Sequence, residues 1–187
     1  MRKTKELVID FRTREHSTGT TVIHGEDVEI VSSYKYLGTI FDDKLSWDEN
    51  TDAVVKNCNQ RMYYLRKLNS FNVDRTIMKL FYSAFIESVL SFSFICCYFH
   101  LTVKNKKSLQ GVVNTCSNVI GDKQRALTLF CEQQIVRKAR SIIANPSHKL
   151  NSKFKLLPLG RRYDVRLSRT NRRKFTFVPV AINLLNK

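Results

Sequence analysis

Residues 34–47, YKYLGTIFDDKLSW, mark the point at which the hydrophobic pattern of this chain changes from strand-like to helical. The first eight of these residues, YKYLGTIF, read as a strand in which Gly38 would allow a bulge or the close approach of another backbone. From Asp48 the apolar residues follow a helical period instead. The change of period predicts a β-structure before this stretch and helices after it.

Two further segments before residue 34 have strand character. Residues 5–11, KELVIDF, alternate polar and apolar side chains and predict a short strand. Residues 21–31, TVIHGEDVEIV, predict a hairpin that turns at His24, Gly25 and Glu26. The first 41 residues therefore predict a small antiparallel ribbon.

The rest of the chain is dominated by helical patterns. The first helix begins near Asp48, and its apolar positions lie on one face. Asp74 is the expected N-cap of a second helix over 75–100, which is apolar nearly all round and should lie inside a bundle. A third helix should end at Gly121, and one or two more are expected before Pro146. The predicted fold class is α+β, with an N-terminal antiparallel ribbon (1–47), a mostly helical bundle (48–145) and an irregular basic C-terminal segment (146–187).

Charge is distributed very unevenly along this chain. Its formal net charge is +16, of which residues 133–187 carry +13, whereas residues 1–74 are close to neutral at −1. Such a bias predicts a polyanionic partner, which could be RNA, DNA or an anionic membrane surface. The residues predicted to bind nucleic acid there are Arg161, Arg162, Tyr163, Arg166, Arg169, Arg172, Arg173 and Lys174. Arginines grip phosphates bidentately and aromatic rings stack on unpaired bases, although a solvated basic tail without a ligand would have the same composition.

The adjacent acids Asp42 and Asp43 directly follow Phe41. Polymerases present their metal-binding carboxylates in the pattern aromatic-x-Asp-Asp, with one residue more between the ring and the acids. Two Mg²⁺ ions would also need a third ligand on an earlier strand, for which Glu6 and Asp10 are the candidates. We interpret the acids as a polar turn between a strand and a helix.

Other chemistry-bearing residues are scattered. His24-Gly25-Glu26 could mimic part of a non-haem iron site, but a hairpin turn explains the glycine better. The five cysteines, at positions 58, 96, 97, 116 and 131, form no C-x-x-C motif, lie on apolar helix faces and predict core packing with reduced thiols. The sequence therefore predicts no catalytic residue, no metal ligand and no cofactor.

The N-terminal residues lack the long apolar core of a signal peptide. The longest uncharged apolar run, 88–103, has 16 residues, whereas a membrane span needs about 20. A buried helix is the expectation, together with an intracellular location, no membrane partner and no identifiable protein partner.

Several phrases of the sequence resemble the C-terminal part of the reverse transcriptase of non-LTR (LINE-type) retrotransposons. They are KTKELVIDFR, VSSYKYLGTIFDDKLSWDENT, QRMYYLRKLNSFNV, FYSAFIESVLSF and the stretch from ARSIIANPSHKL to VPVAINLLN. The resemblance implies a fragment comprising the end of the palm, the primer grip, the thumb and a basic tail. The catalytic aspartates would lie upstream of Met1, so no enzymatic activity is expected.

The same resemblance assigns nucleic-acid contacts near the N-terminus. Lys3 or Lys5 would match a lysine near the incoming nucleotide. The primer grip, a hairpin that holds the 3′ end of the primer, would comprise Tyr34, Tyr36, Leu37 and Gly38. The implied partner is a template–primer duplex of RNA and/or DNA, contacted through its phosphates.

Residues 55–98 also resemble the domain family named for the N-terminal region of the alkylated-DNA-repair protein AlkB homologue eight. That name implies a tRNA-modifying dioxygenase and methyltransferase, but the sequence shows neither the iron triad nor a Gly-rich loop for S-adenosylmethionine. A translated remnant without a function is a third interpretation.

Overall fold

Strands and helices segregate along the chain, which confirms the predicted α+β class. The computed structural model describes residues 4–12, 19–92, 94–165 and 167–187. The chain divides into two compact units, residues 1–53 and 54–187. The boundaries predicted at 47/48 and 145/146 stay predictions.

In the first unit, the residues that the structure describes form three two-stranded pairs. The strands are β1 Lys5–Glu6, β2 Val22–Ile23, β3 Glu26–Asp27, β4 Glu29–Ile30, β5 Ser33–Tyr36 and β6 Thr39–Asp42. The β2–β3 and β5–β6 pairs are antiparallel, whereas β1 pairs with β4 in parallel. The strand predicted over 5–11 is shorter than expected, since it ends at Glu6.

The stretch YKYLGTIF forms a hairpin, as the resemblance implied, and its prediction from the hydrophobic pattern as a single strand was wrong. Strand β5 pairs with β6 so that Ser33 faces Asp42 and Tyr36 faces Thr39. Leu37 and Gly38 form the turn with φ angles of 48° and 86°. Two consecutive positive φ angles give the turn whose twist matches antiparallel strands. The apolar run conceals the turn because a leucine occupies a position where asparagine or aspartate is usual.

Asp42 organises the turn that leads into the first helix. Its carboxylate accepts hydrogen bonds from the backbone amides of Lys44 (3.0 Å), Ser46 (2.9 Å) and Trp47 (3.1 Å). Burial by itself would raise the pKa of Asp42, but these hydrogen bonds outweigh it and leave the pKa lowered. The acid after Phe41 is therefore a structural side chain in a polar turn, as interpreted from the sequence.

Helices account for most of the chain from Asp48 onward. They are α1 Asp48–Ser70, α2 Arg75–Phe81, α3 Ser88–Ser91, α4 Phe94–Cys97, α5 Val103–Ile120, α6 Leu127–Ile143, α7 Asn171–Lys174 and α8 Phe177–Leu185. A π-helical turn (Tyr82–Glu87) joins α2 to α3, and 3₁₀ turns cover Tyr98–His100 and Asn151–Lys153. The predicted N-cap is confirmed, since Asp74 Oδ1 accepts a hydrogen bond from Thr76 N at 2.7 Å. The predicted end of α5 at Gly121, where φ is 72°, is also confirmed.

The core of the second unit is built from one face of each long helix. Helix α5 packs against α2 and α6, and α6 packs against α4 and α8. The largest fully buried side chains are Leu65, Ile86, Leu90, Ile120, Leu127, Ile135 and Ile142. Helix α8, which the sequence did not predict, places Val180, Ala181 and Ile182 in this core.

The apolar run from 75 to 100 is buried on one face only, so the prediction of burial all round was wrong. Met78, Tyr82, Ile86 and Leu90 are buried, whereas Ile77, Leu80, Phe85 and Phe92 are exposed. Among the described residues this is the one helical stretch long and apolar enough to cross a bilayer. A core helix of a protein in water meets the same criterion, so the stretch by itself assigns no membrane.

Candidate nucleic-acid interface

The basic C-terminal segment is held in place where it leaves helix α6. The side-chain amide of Asn151 donates to the carbonyl oxygens of Ile142 and Ile143, both at 3.1 Å, and of Asn145 at 3.2 Å. Carbonyls at the end of a helix have no partner within the helix. Asn151 therefore closes α6 and fixes the 3₁₀ turn that ends at Lys153.

Residues 155–164 then fold back as a short irregular hairpin. Asp164 N donates to Lys155 O at 2.8 Å, and Leu157 N donates to Arg162 O at 2.7 Å. Gly160, with a φ of 69°, makes the turn. Arg161 and Arg162 are exposed on the returning arm.

A side chain from the end of the protein fastens this hairpin to helix α8. Asn186 accepts a hydrogen bond from Tyr163 N at 2.8 Å and donates one to Tyr163 O at 3.0 Å. An asparagine amide offers both a donor and an acceptor, so one residue satisfies both backbone groups of Tyr163. The hairpin is thus tied to a helix whose own side chains are in the core.

An aromatic cluster lies beneath the same hairpin. The ring of Phe154 is 6.4 Å from that of Tyr163 and 6.5 Å from that of Phe177, both in edge-to-face orientation. Phe154 is only 8% exposed. Aromatic pairs in this geometry are favourable beyond the area they bury, so the cluster stabilises the basic segment from below.

Helix α7 presents the last group of cations. The hydroxyl of Thr170 caps the helix by accepting a hydrogen bond from Arg173 N at 3.4 Å. Arg172, Arg173 and Lys174 follow in a single turn and are exposed. The ring of Phe175, 38% exposed, lies 6.4 Å from the ring of His100.

Lys106 adds a cation close to His100, whose ring contacts Phe175 at the end of α7. The pKa of His100 is lowered, first by burial and then by the charges of Arg172 and Lys106. Burial lowers the pKa of Lys106 as well, and its ammonium lies 5.5 Å from the Tyr98 ring centroid. A phosphate placed here would meet several cations and would favour the protonated imidazole.

The residues predicted from the sequence fall into two sets, one in each unit. The set in the second unit lies on the returning arm of the 155–164 hairpin (Arg161, Arg162, Tyr163), before helix α7 (Arg169) and in α7 (Arg172, Arg173, Lys174), and all of its described cations are exposed. The ring of Tyr163 is partly buried against Phe154, which leaves less of it for base stacking than expected. Arg166 lies outside the described residues.

The predicted N-terminal set belongs to the first unit. Tyr34, Tyr36 and Leu37 are exposed on the β5–β6 hairpin, with Leu37 at 76%. Lys5 forms an ion pair with Glu29. Lys3 lies outside the described residues.

Sequence analysis missed the residues that hold the basic segment. Asn151, Phe154 and Asn186 are separated by apolar or basic stretches, and no local pattern marks them as partners of one another. The contribution of His100 and Lys106 was missed for the same reason, since the 3₁₀ turn at 98–100 and helix α5 are distant in sequence from α7. The signal in the sequence was a basic stretch interrupted by aromatic residues. It identified the charged residues but not the residues that hold the segment in place.

Within the described residues, no group of three or more His, Cys, Asp or Glu side chains could hold a metal ion.

Comparison with protein families gave one match. The family model described as the N-terminal region of alkylated DNA repair protein alkB homolog 8 matches residues 47–88, which is less than a quarter of the chain. No curated protein and no solved structure matches the chain. The matched residues cover α1, α2 and the π-helical turn. Residues 47–88 are therefore similar to the N-terminal region of AlkB homologue 8.

Proposed function

We propose that this protein binds nucleic acid through a basic surface on its second unit. The basic surface comprises the exposed cations Lys153, Lys155, Arg161, Arg162, Arg169, Arg172, Arg173 and Lys174. The observation that carries the proposal is that these cations lie on an anchored segment. Asn151, Phe154 and Asn186 fasten the part that carries Lys153, Lys155, Arg161 and Arg162. The ring of Phe175 at the end of α7 contacts His100, whereas a solvated tail would need no such support.

The chemistry of the basic surface suits phosphates. The guanidinium group keeps its charge at every physiological pH and offers paired donors that match a phosphate. Residues 133–187 contain one acid, Asp164, against fourteen lysines and arginines. A surface of this kind grips a phosphate backbone without reading its sequence.

The finer proposal, which the sequence resemblance supports, is a reverse transcriptase fragment without its metal-binding aspartates. In that interpretation the protein is not an enzyme and retains template–primer binding at most. The exposed β5–β6 hairpin with Tyr34, Tyr36, Leu37 and Gly38 would contact the primer end, and the basic surface would follow the duplex phosphates.

A second candidate is favoured by the family match over residues 47–88. In this interpretation the chain is related to AlkB homologue 8. The resemblance stated from the sequence links that family to tRNA modification, so the proposed nucleic-acid partner is a folded tRNA. Both candidates need a polyanion-binding surface, so the basic surface serves either one.

The shared proposal is tested by the salt dependence of binding. Each neutralised phosphate releases counterions, so the affinity should fall steeply with salt, with a slope of about −0.9 per phosphate on duplex DNA. Replacing Arg161 and Arg162 with glutamine should reduce the slope by about 1 for each phosphate that the protein no longer neutralises. The control is Lys56→Gln on α1, which lies outside the basic surface and should leave the slope unchanged. An affinity that does not depend on salt would contradict the proposal.

The two candidates differ in the preferred ligand. A fluorescence anisotropy competition between a template–primer duplex and a tRNA, at matched phosphate concentration, separates them. Preference for the duplex supports the polymerase fragment, and preference for the tRNA supports the second candidate.

A further inference from the structure

A small cavity opens beside the basic surface, within the second unit. It has a volume of about 190 Å³ and lies between the 3₁₀ turn at 151–153, helix α7 and the start of α8. Its lining includes two cations (Lys153 and Arg173), two hydroxyl groups (Ser168 and Thr176) and an apolar wall that includes Pro179 and Ile182. No carboxylate is among the described residues that line it.

The polar and apolar parts of this cavity are arranged in depth. Lys153 and Arg173 are exposed, whereas Ser168 and Pro179 are half-buried and Ile182 is 3% exposed. The cations therefore stand at the mouth and the apolar residues form the floor. A ligand that fits has an anionic group at one end and a flat or compact apolar group at the other.

The joint between α7 and α8 fixes the cationic side of the mouth. The Thr176 hydroxyl donates to Arg173 O at 2.8 Å. Ile182, at the floor, is held in the core by helix α8. Because both the mouth and the floor belong to anchored elements, the cavity is a formed feature of the fold.

The size of the cavity limits what it can hold. Pockets for drug-sized ligands have volumes of about 300–1,000 Å³, so this cavity suits a single small group. A nucleobase held between apolar side chains, with its phosphate at the cations, has the required chemistry. We propose that the cavity receives one nucleotide of an unpaired strand whose neighbouring phosphates lie on the basic surface.

This inference rests on the proposed function and adds a preference for unpaired over duplex strands, because a paired base is not available to the cavity. The ligand of the cavity is a nucleotide within a nucleic-acid strand and not a free mononucleotide. Filling the cavity should abolish the preference while leaving phosphate contacts elsewhere on the basic surface in place.

The test is the ratio of affinities of the full chain for an unpaired strand of about 12 nucleotides, within the range of common site sizes, and for a duplex of the same length. Wild type should prefer the unpaired strand about tenfold, the gain expected from holding one base. Ser168→Trp should bring the ratio close to one by weakening binding to the unpaired strand. The matched control is Ser141→Trp, on the exposed side of α6, which should keep the wild-type ratio.

If circular dichroism shows that Ser168→Trp disturbs folding, a second pair of variants tests the same inference. Arg173→Gln removes a cation at the mouth and should weaken the unpaired strand more than the duplex. Arg169→Gln, outside the cavity lining, should weaken both equally. A tenfold preference that survives Ser168→Trp and Arg173→Gln in folded protein overturns the inference.

A binding measurement with a free mononucleotide tests whether the cavity needs a strand. If a labelled adenosine monophosphate binds as tightly as the strand, the assignment to a strand is overturned. If neither the unpaired strand nor the duplex binds at any salt concentration, the proposed function itself fails, which is a different outcome from binding without preference.

Discussion

Two hairpins of this protein are built on opposite principles. The β5–β6 hairpin has regular pairing from Ser33 to Asp42 and a two-residue turn. The hairpin over 155–164 has one bridge, between Leu156 and Tyr163, and a looser turn at Gly160. Both expose a leucine near the tip, Leu37 at 76% and Leu159 at 85%.

What differs is the source of their stability. The first hairpin is completed locally, because Asp42 at its end accepts hydrogen bonds from the amides of three of the next five residues. The second depends on distant residues: Asn186 holds Tyr163 from 23 positions away, and Phe177 packs on Phe154. Local hydrogen bonds thus stabilise the neutral β5–β6 hairpin, whereas tertiary contacts stabilise the charged hairpin over 155–164. The charged hairpin needs these contacts because its cations repel one another.

The largest effect should come from the aromatic support of the charged hairpin. Phe154→Ala should lower the free energy of unfolding of the second unit by about 3 kcal/mol, since it removes a buried ring and both edge-to-face contacts. Urea denaturation followed by circular dichroism measures the change. Phe71→Ala, at a residue 75% exposed, should change stability by less than about 0.5 kcal/mol. Equal effects of the two variants would show that Phe154 does not support the segment.

The β5–β6 hairpin should be destabilised by a change at Asp42, the last residue of β6. Asp42→Asn should destabilise the first unit by about 2 kcal/mol, because hydrogen bonds to a charged group are removed or weakened. Trp47 is the single tryptophan and is buried, so its fluorescence reports this unit directly. Asp43→Asn is the control, and an equal effect would contradict the role of Asp42.

The same side chain predicts a pH dependence. The pKa of Asp42 is lowered in the folded protein from its ordinary value of 3.8. Its contribution to stability is therefore complete above that value and is lost as the pH falls below it. Asp42→Asn should lack this part of the acid dependence of Trp47 fluorescence.

A smaller effect on the free energy of unfolding is expected from substitutions in the turns of the two hairpins. Gly38→Ala and Gly160→Ala should each cost about 1 kcal/mol, because both glycines have positive φ angles that disfavour a Cβ atom. A Cβ at Gly160 would meet nothing within 4 Å, so the cost there is purely torsional. Gly111→Ala in helix α5 should instead raise stability by about 0.5–1 kcal/mol. A gain at Gly160 would indicate that the charged hairpin does not hold its turn.

Sequence patterns predicted what short-range physics determines. The N-cap at Asp74, the end of α5 at Gly121 and the change of period at Asp48 each depend on residues within a few positions. The hydrophobic pattern did not predict the β5–β6 turn, because Leu37 adopts a positive φ that its residue type rarely shows, and only the resemblance implied a hairpin there. The full burial of 75–100 was wrong because composition reports apolar content without reporting which face has a neighbour.

The charged residues of the candidate site could be predicted from the sequence, whereas the residues that hold them in place could not. A count of lysines and arginines identifies residues 161–174 as basic. That Asn151, Phe154 and Asn186 hold them follows from where helices α6 and α8 meet the segment, and this is a tertiary property. Helix α8 itself consists of a short apolar stretch that only its packing on α6 reveals as part of the core.

The most direct test of the central claim is the nucleic-acid affinity of Asn186→Ala at constant charge, with Asn183→Ala on the exposed side of α8 as the control. An anchored basic surface predicts that removing the two hydrogen bonds to Tyr163 weakens binding about three- to tenfold, since each bond stabilises the hairpin by about 1 kcal/mol. Asn183→Ala should bind like wild type. An unchanged affinity of Asn186→Ala in folded protein would show that the cations act as a solvated tail and would contradict the claim.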